Sequence, residues 1–128
     1  MKILFDTHTF LWWIGEPERL SKKLHDLCKD RNNTILLSVV SVWEIQIKRA
    51  IGKSRLNESL KDLIEREQLA NGLQILPVNL NHVLILDDLS DYHKDPFDRL
   101  LIAQSMLEET YLASKDKIFK SYPVKLIW

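Results

Sequence analysis

Two kinds of apolar run alternate along the chain. Residues 2–5, Lys2-Ile3-Leu4-Phe5, are short, nearly all apolar and end on Asp6-Thr7-His8, the pattern of a strand buried on both faces of a parallel sheet. Similar runs recur at residues 34–37, broken by Ser38, and at 73–78, 110–114 and 124–128. Between them the period lengthens to that of helices. Residues 10–14 read as a short helix closed by Gly15-Glu16-Pro17, and residues 21–30 as a longer one. Residues 39–51 place Val40, Trp43, Ile47 and Ile51 on one face and Ser41, Glu44 and Lys48 on another, with Gly52 suited to the C-terminal cap. Residues 57–69 form an amphipathic helix through Leu60, Leu63 and Ile64 that ends on Asn71-Gly72, and Asn79 caps a short helix carrying residues 83–86. Asp95-Pro96 starts the next helix, because proline loses nothing at a first helical position whose N–H has no partner. Ile118, Phe119 and Tyr122 mark a last short helix.

This alternation predicts an α/β fold: a three-layer α/β/α sandwich around a central, mostly parallel five-stranded sheet joined by right-handed crossovers. The chain has 128 residues, 45% of them hydrophobic, which suits one domain spanning residues 1–128 with a core that needs no cross-links. It contains no repeat, low-complexity segment or linker. Eighteen Lys and Arg balance eighteen Asp and Glu, so contact with a nucleic acid must rest on local clusters rather than on a global field. The single cysteine, Cys28, excludes an intramolecular disulfide and fits a reducing compartment. It shares a helical stripe with Leu20, Leu24 and Leu27 and reads as packing. The start of the chain lacks the pattern of a signal peptide, and no run approaches the ~20 apolar residues of a membrane span. A cytoplasmic protein without membrane contact is expected.

In an open parallel sheet the strand carboxyl ends share one edge, and the helices that follow begin there. Asp6 ends the first strand, Glu44 lies early in the helix after the second, Asp98 opens the helix before the fourth, and Asp116 follows the fourth. Each acid also has a purely local use. Asp6 can cap the next turn, and Ser41-Val42-Trp43-Glu44 has capping-box spacing. Glu44 with Lys48 is an i,i+4 pair worth about 0.3–0.5 kcal/mol. Asp95 suits the N-cap of the helix whose first turn holds Asp98, and Asp116 suits a turn or cap. Convergence is what separates the two uses, since crowded carboxylates repel one another unless a cation shares the site. An all-oxygen donor set favours Mg²⁺ or Mn²⁺ over zinc. Such a metal activates water for hydrolysis of a phosphodiester.

The same residues carry a family resemblance. Asp6 after the first strand, Ser41-Val42-Trp43-Glu44-Ile45, the segment from His93-Lys94-Asp95-Pro96-Phe97-Asp98-Arg99 to Leu100-Leu101-Ile102-Ala103-Gln104, and Ser114-Lys115-Asp116 resemble the PIN domain. In particular they resemble the VapC-type toxins of bacterial toxin–antitoxin pairs, over essentially the whole chain. The Asp-Pro-Phe-Asp-Arg-Leu-Leu-Ile-Ala segment is specific, whereas Asp6 and Asp116 taken singly are not. The resemblance implies an acidic Mg²⁺ or Mn²⁺ site, cleavage of RNA, a homodimer and neutralisation by an antitoxin protein. By position, Asp6, Glu44, Asp98 and Asp116 match the family's catalytic, metal-binding acids. Asp95 matches an acid present in only part of the family and is taken as cap or supporting residue. Ser114 stands where the family often has Thr or Ser.

Lys94, Arg99, Lys115 and Lys117 lie near the inferred edge as candidate phosphate contacts, against simple solvation for each. Trp12, Trp13 and Trp43 suit core or dimer packing better than base stacking. His8 and His93 lie near the acids, but a metal-activated water makes a histidine base unnecessary. The leading expectation is a metal-dependent endoribonuclease; the alternative is a non-catalytic RNA- or protein-binding module of the same fold. A haloacid-dehalogenase-like phosphatase would need a second aspartate where His8 stands. A dinucleotide-binding domain would need a glycine-rich turn that three glycines do not supply.

Overall fold

Ile3, Leu4 and Phe5 are wholly buried, and the strand they form, β1 (Lys2–Phe5), is the middle of a five-stranded sheet. The computed structural model describes residues 1–52 and 58–128. β2 (Thr34–Ser38) and β4 (Tyr111–Ala113) flank β1, with β3 (Gln74–Leu76) and β5 (Lys125–Ile127) outside them, in the order β3-β2-β1-β4-β5. Every pairing is parallel, and Phe5 lies opposite Leu37 on one side and Ala113 on the other. β1 keeps the span of its apolar run and β2 extends one residue beyond its own to Ser38, whereas β3, β4 and β5 are shorter than their runs. Ser38 both ends β2 and caps the next helix through Val40 N–H at 3.1 Å.

Side-chain alternation sends Ile3, Phe5, Ile35 and Leu37 to one face of the sheet and Leu4, Leu36 and Leu112 to the other. The first face is covered by α1 (Thr7–Gly15), α2 (Lys22–Lys29) and α4 (Leu60–Asn71), which contribute Phe10, Leu24, Leu60 and Leu63. The second is covered by α6 (Pro96–Glu108) through Leu101 and Ile102, with Phe119 and Tyr122 beside it. α3 (Val39–Ala50) adds Ile45 to the first cluster and Val40 to the second. α5 (Leu80–Leu84) packs on α6. The three-layer α/β/α arrangement expected from the alternation is the one observed. Among the described residues no helix is long and apolar enough to cross a membrane.

Several local expectations change. α1 begins at Thr7 rather than Phe10, because Asp6 caps it. The fourth helix was expected from Asn57, which lies outside the described residues; α4 starts at Leu60 behind the Ser59 cap and stops at Gly72, whose φ of 68° suits a residue without a side chain. α3 starts at Val39 under the Ser38 cap, so Ser41 and Glu44 lie inside the helix and form no capping box there. Its apolar stripe is also not its buried face. Val40 is buried, but Trp43, Ile47 and Ile51 are exposed, while Ser41 and Ile45 are completely buried. Polar Ser41 tolerates that place because its hydroxyl pairs with that of Thr7, 3.0 Å away.

Candidate active site

The chain runs from β1 out to β3 on one side, then crosses back to β4 and β5 on the other. That reversal opens a crevice beyond the carboxyl ends of β1 and β4, the place where open α/β sheets bind ligands. Asp6 follows β1 there, and Ser114 follows β4. Asp6 Oδ1 accepts from Thr9 N–H at 2.8 Å, capping α1, and Oδ2 accepts from Ser114 Oγ at 2.5 Å. Ser114 Oγ in turn accepts from Asp116 N–H at 3.0 Å, so one buried hydroxyl brings Asp6 and Asp116 together. Asp116 Oδ1 also accepts from Ile118 N–H at 3.1 Å and caps the turn of 3₁₀ helix Lys117–Ser121. A pocket of about 210 Å³ opens here, lined by Asp6, His8, Trp12, Lys115 and Asp116.

The other two acids sit on helices that pack against each other, α3 and α6. Thr7, the residue after Asp6, donates its hydroxyl to Glu44 Oε1 at 2.5 Å. Lys48 Nζ stands 3.5 Å from Glu44 Oε2, the i,i+4 pair expected from the spacing. Asp95 is the N-cap of α6, accepting from Asp98 N–H at 3.0 Å, which leaves it a supporting role. Asp98 points its carboxylate to His93, Oδ2 lying 2.7 Å from Nε2. Burial pushes the Asp98 carboxyl up to about 6, the Asp95 and Glu44 charges add to the rise, and His93 opposes it. Thus the Glu44 and Asp98 charges feel each other, and Thr7 ties their side of the crevice to Asp6.

His93 is held by a clamp that the sequence did not announce. Its N–H donates to Tyr122 Oη at 2.8 Å, and Tyr122 donates to the Ser90 carbonyl at 2.7 Å. Arg99 Nη1 donates to the carbonyls of Ser90 and His93, and Nη2 to those of Leu86 and Leu89, at 2.8 to 3.4 Å. The terminal N–H groups of Arg99 are therefore turned to backbone carbonyls, a clamp on residues 86–93 that the expectation of a phosphate contact did not include. Lys94, Lys115 and Lys117 are exposed. Trp12 and Trp13 pack at the edge of the core as expected, whereas Trp43 is 56% exposed and meets Phe97 edge-on at 5.2 Å. Thr7 and Tyr122 escaped the sequence reading because a lone hydroxyl has no pattern until its tertiary partner is known.

Among the described residues no three His, Cys, Asp or Glu side chains form a ready metal cage. The donor chemistry nevertheless suits a hard divalent cation. Asp6, Glu44, Asp98 and Asp116 offer oxygen alone, each carboxylate has roughly four lone-pair directions, and their hydrogen bonds use one or two. The Asp98 carboxyl, raised by burial and further by the Asp95 and Glu44 charges, is one that a bound cation would favour in its ionised form. A larger cavity, about 500 Å³, lies at the opposite edge of the sheet near Thr34 and Gln74, away from these acids.

The chain is similar to Ribonuclease VapC22 of Mycobacterium tuberculosis (strain ATCC 25618 / H37Rv), 24% identical over 121 residues that cover 94% of this chain and 91% of the relative. In fold it is similar to VapBC2 from Rickettsia felis bound to a DNA fragment from their promoter, with a TM-score of 0.74 and 21% identity over 99% of this chain and 98% of that one. It is also similar to a toxin–antitoxin complex from Klebsiella pneumoniae, with a TM-score of 0.60 and 15% identity over 98% of this chain and 96% of that one. The PIN domain family model matches residues 3–125, nearly the whole chain, and the crevice it spans is the one just described: the chain belongs to the PIN domain family.

Proposed function

We propose that the chain is a metal-dependent endoribonuclease of the VapC type, the toxin of a toxin–antitoxin pair, and that Asp6, Glu44, Asp98 and Asp116 hold Mg²⁺ or Mn²⁺. The observation that carries this reading is the Ser114 bridge, which gathers Asp6 and Asp116 at the sheet's crevice while Thr7 tethers Glu44 beside them. A non-catalytic binding module would have no use for acids assembled against their own repulsion. When bound, the cation supplies the positive charge that balances the acids and activates water for attack on phosphorus. The chain's own residues set the stage for that. Ser114 holds the Asp6 carboxylate in place by donating to it, Thr7 does the same for Glu44, and His93 orients Asp98. Asp95 starts α6 at the depth that presents Asp98. Lys94, Lys115 and Lys117 offer exposed charge for the phosphates of RNA.

The toxin role is supported by likeness to proteins named as VapBC and toxin–antitoxin complexes. A homodimer is supported by the exposed row Val39, Trp43, Ile47 and Ile51 along α3, an apolar face that self-association would cover. The deciding experiment is cleavage of RNA with Mg²⁺, with Mn²⁺ and with EDTA, comparing wild type with Asp6→Asn and Asp98→Asn. Metal-dependent cleavage by the wild type alone is expected. Equal cleavage by all three proteins, or activity surviving EDTA, overturns the mechanism; RNA binding without cleavage favours the non-catalytic module. Co-purification of a small protein encoded next to this chain checks the antitoxin.

A further inference from the structure

We propose that the acid pocket continues into a lysine-lined groove on the β4–β5 side that holds one unpaired RNA strand. It rests on the nuclease reading and says where that strand runs. A second pocket, about 260 Å³, is lined in part by Lys115, Asp116, Lys117, Lys120 and Trp128. It shares Lys115 and Asp116 with the acid pocket, so the two adjoin. Trp12 lines the first and Trp128 the second, and their rings pack edge to face with centroids 5.8 Å apart.

Local structure explains the lysine row. Lys117–Ser121 is 3₁₀ helix, in which residues three apart lie one above the other, about 6 Å along the axis. Lys117 and Lys120 therefore project on the same side, while Phe119 between them is buried in the core and pins the turn. Both lysines and Lys115 are exposed. Asp116 is the sole acidic side chain among the residues lining this groove, so three positive charges face one negative in a chain whose total balances to zero. Such a row follows a phosphate backbone, and the partly exposed Trp128 indole offers ring surface to an unpaired base, whereas the Arg19 guanidinium lies over the Trp12 ring at 4.4 Å. A duplex has its bases stacked inside and offers no face to the indole.

The test measures binding in EDTA, where RNA stays intact, by anisotropy of a fluorescein-labelled mixed-sequence single-stranded 12-mer and of the same sequence in a duplex. The single strand is expected to bind the wild type more tightly than the duplex. Lys117→Ala/Lys120→Ala should weaken single-strand binding about tenfold and lower the log–log salt slope by about 1.4, roughly 0.7 for each lysine. Trp128→Leu should weaken it roughly tenfold through lost stacking. Lys22→Ala/Lys23→Ala, which lines neither pocket, should leave binding unchanged, and circular dichroism checks that all variants fold. No binding by the wild type, an unchanged slope in the Lys117/Lys120 pair, or equal loss in the control overturns the groove. Tighter binding of poly-glutamate than of the RNA also overturns it, in favour of an acidic protein occupant. Wild-type cleavage in Mg²⁺ is scored separately. If cleavage persists while these fail, the groove is wrong and the nuclease reading stands; absence of cleavage of any RNA sinks the nuclease reading itself.

Discussion

Ser114 Oγ donates to Asp6 Oδ2 at 2.5 Å and accepts from Asp116 N–H at 3.0 Å. One hydroxyl, 1% exposed, thus joins the acids that follow β1 and β4. Ser114→Ala removes a donor from a buried carboxylate and an acceptor from a backbone N–H, which costs about 1–3 kcal/mol of folding stability. It should also weaken Mn²⁺ binding measured by calorimetry, and Ser114→Thr should restore both. Wild-type Mn²⁺ affinity in the alanine variant would mean that the hydroxyl organises no metal site.

The Asp98 carboxyl, raised to about 6 by burial first and by the charges of Asp95 and Glu44 next, sets a pH dependence. Its folded-state value lies above its unfolded one, so the native state holds the proton more tightly between about pH 4 and pH 6. This group's contribution to the stability of metal-free protein is therefore present at low pH and lost as pH rises through about 6. Urea titrations should show that trend weakened in Asp98→Asn. Mn²⁺ requires the ionised carboxylate, so affinity should be roughly tenfold lower one pH unit below 6 than well above it. A flat affinity across that window would contradict Asp98 as a ligand.

Arg99 separates clamp from phosphate contact. Its guanidinium donates to four backbone carbonyls between Leu86 and His93, and a lysine ammonium lacks the fork to reach them all. Arg99→Lys should cost about 1–3 kcal/mol of stability in denaturant while RNA affinity in EDTA stays at the wild-type value. Normal stability with weakened RNA binding would reverse the assignment.

Cys28 gives a readout independent of the site. Burial pushes its thiol up to about 12, and the thiolate is the reacting form. Iodoacetamide at pH 8 should label native protein at least about a hundredfold more slowly than protein unfolded in urea. Comparable rates would show that the helix carrying Cys28 opens freely.

Much of the fold was legible because its signals are local. Short apolar runs bounded by turn residues and alternating with helical periods read as strands, and the Asp95-Pro96 start and Gly72 stop act through the backbone of their own residues. Topology then puts Asp6, Glu44, Asp98 and Asp116 toward one edge without any knowledge of contacts, since parallel strands share their carboxyl ends.

Other features had to wait for the tertiary structure. The spacing of Val40, Trp43, Ile47 and Ile51 reveals a face of α3 but not which way that face turns; the sheet and α6 took Ile45 and Ser41 instead. Arg99 reads the same on paper whether it meets phosphate or carbonyl, and only the path of residues 86–93 decides. By itself the sequence determined the order of elements and the acids' common edge, because hydrophobic period, caps and strand polarity are properties of neighbouring residues. The tertiary structure alone decided which hydroxyl holds which acid, because that depends on groups more than thirty residues apart, such as Thr7 with Glu44 and Asp6 with Ser114.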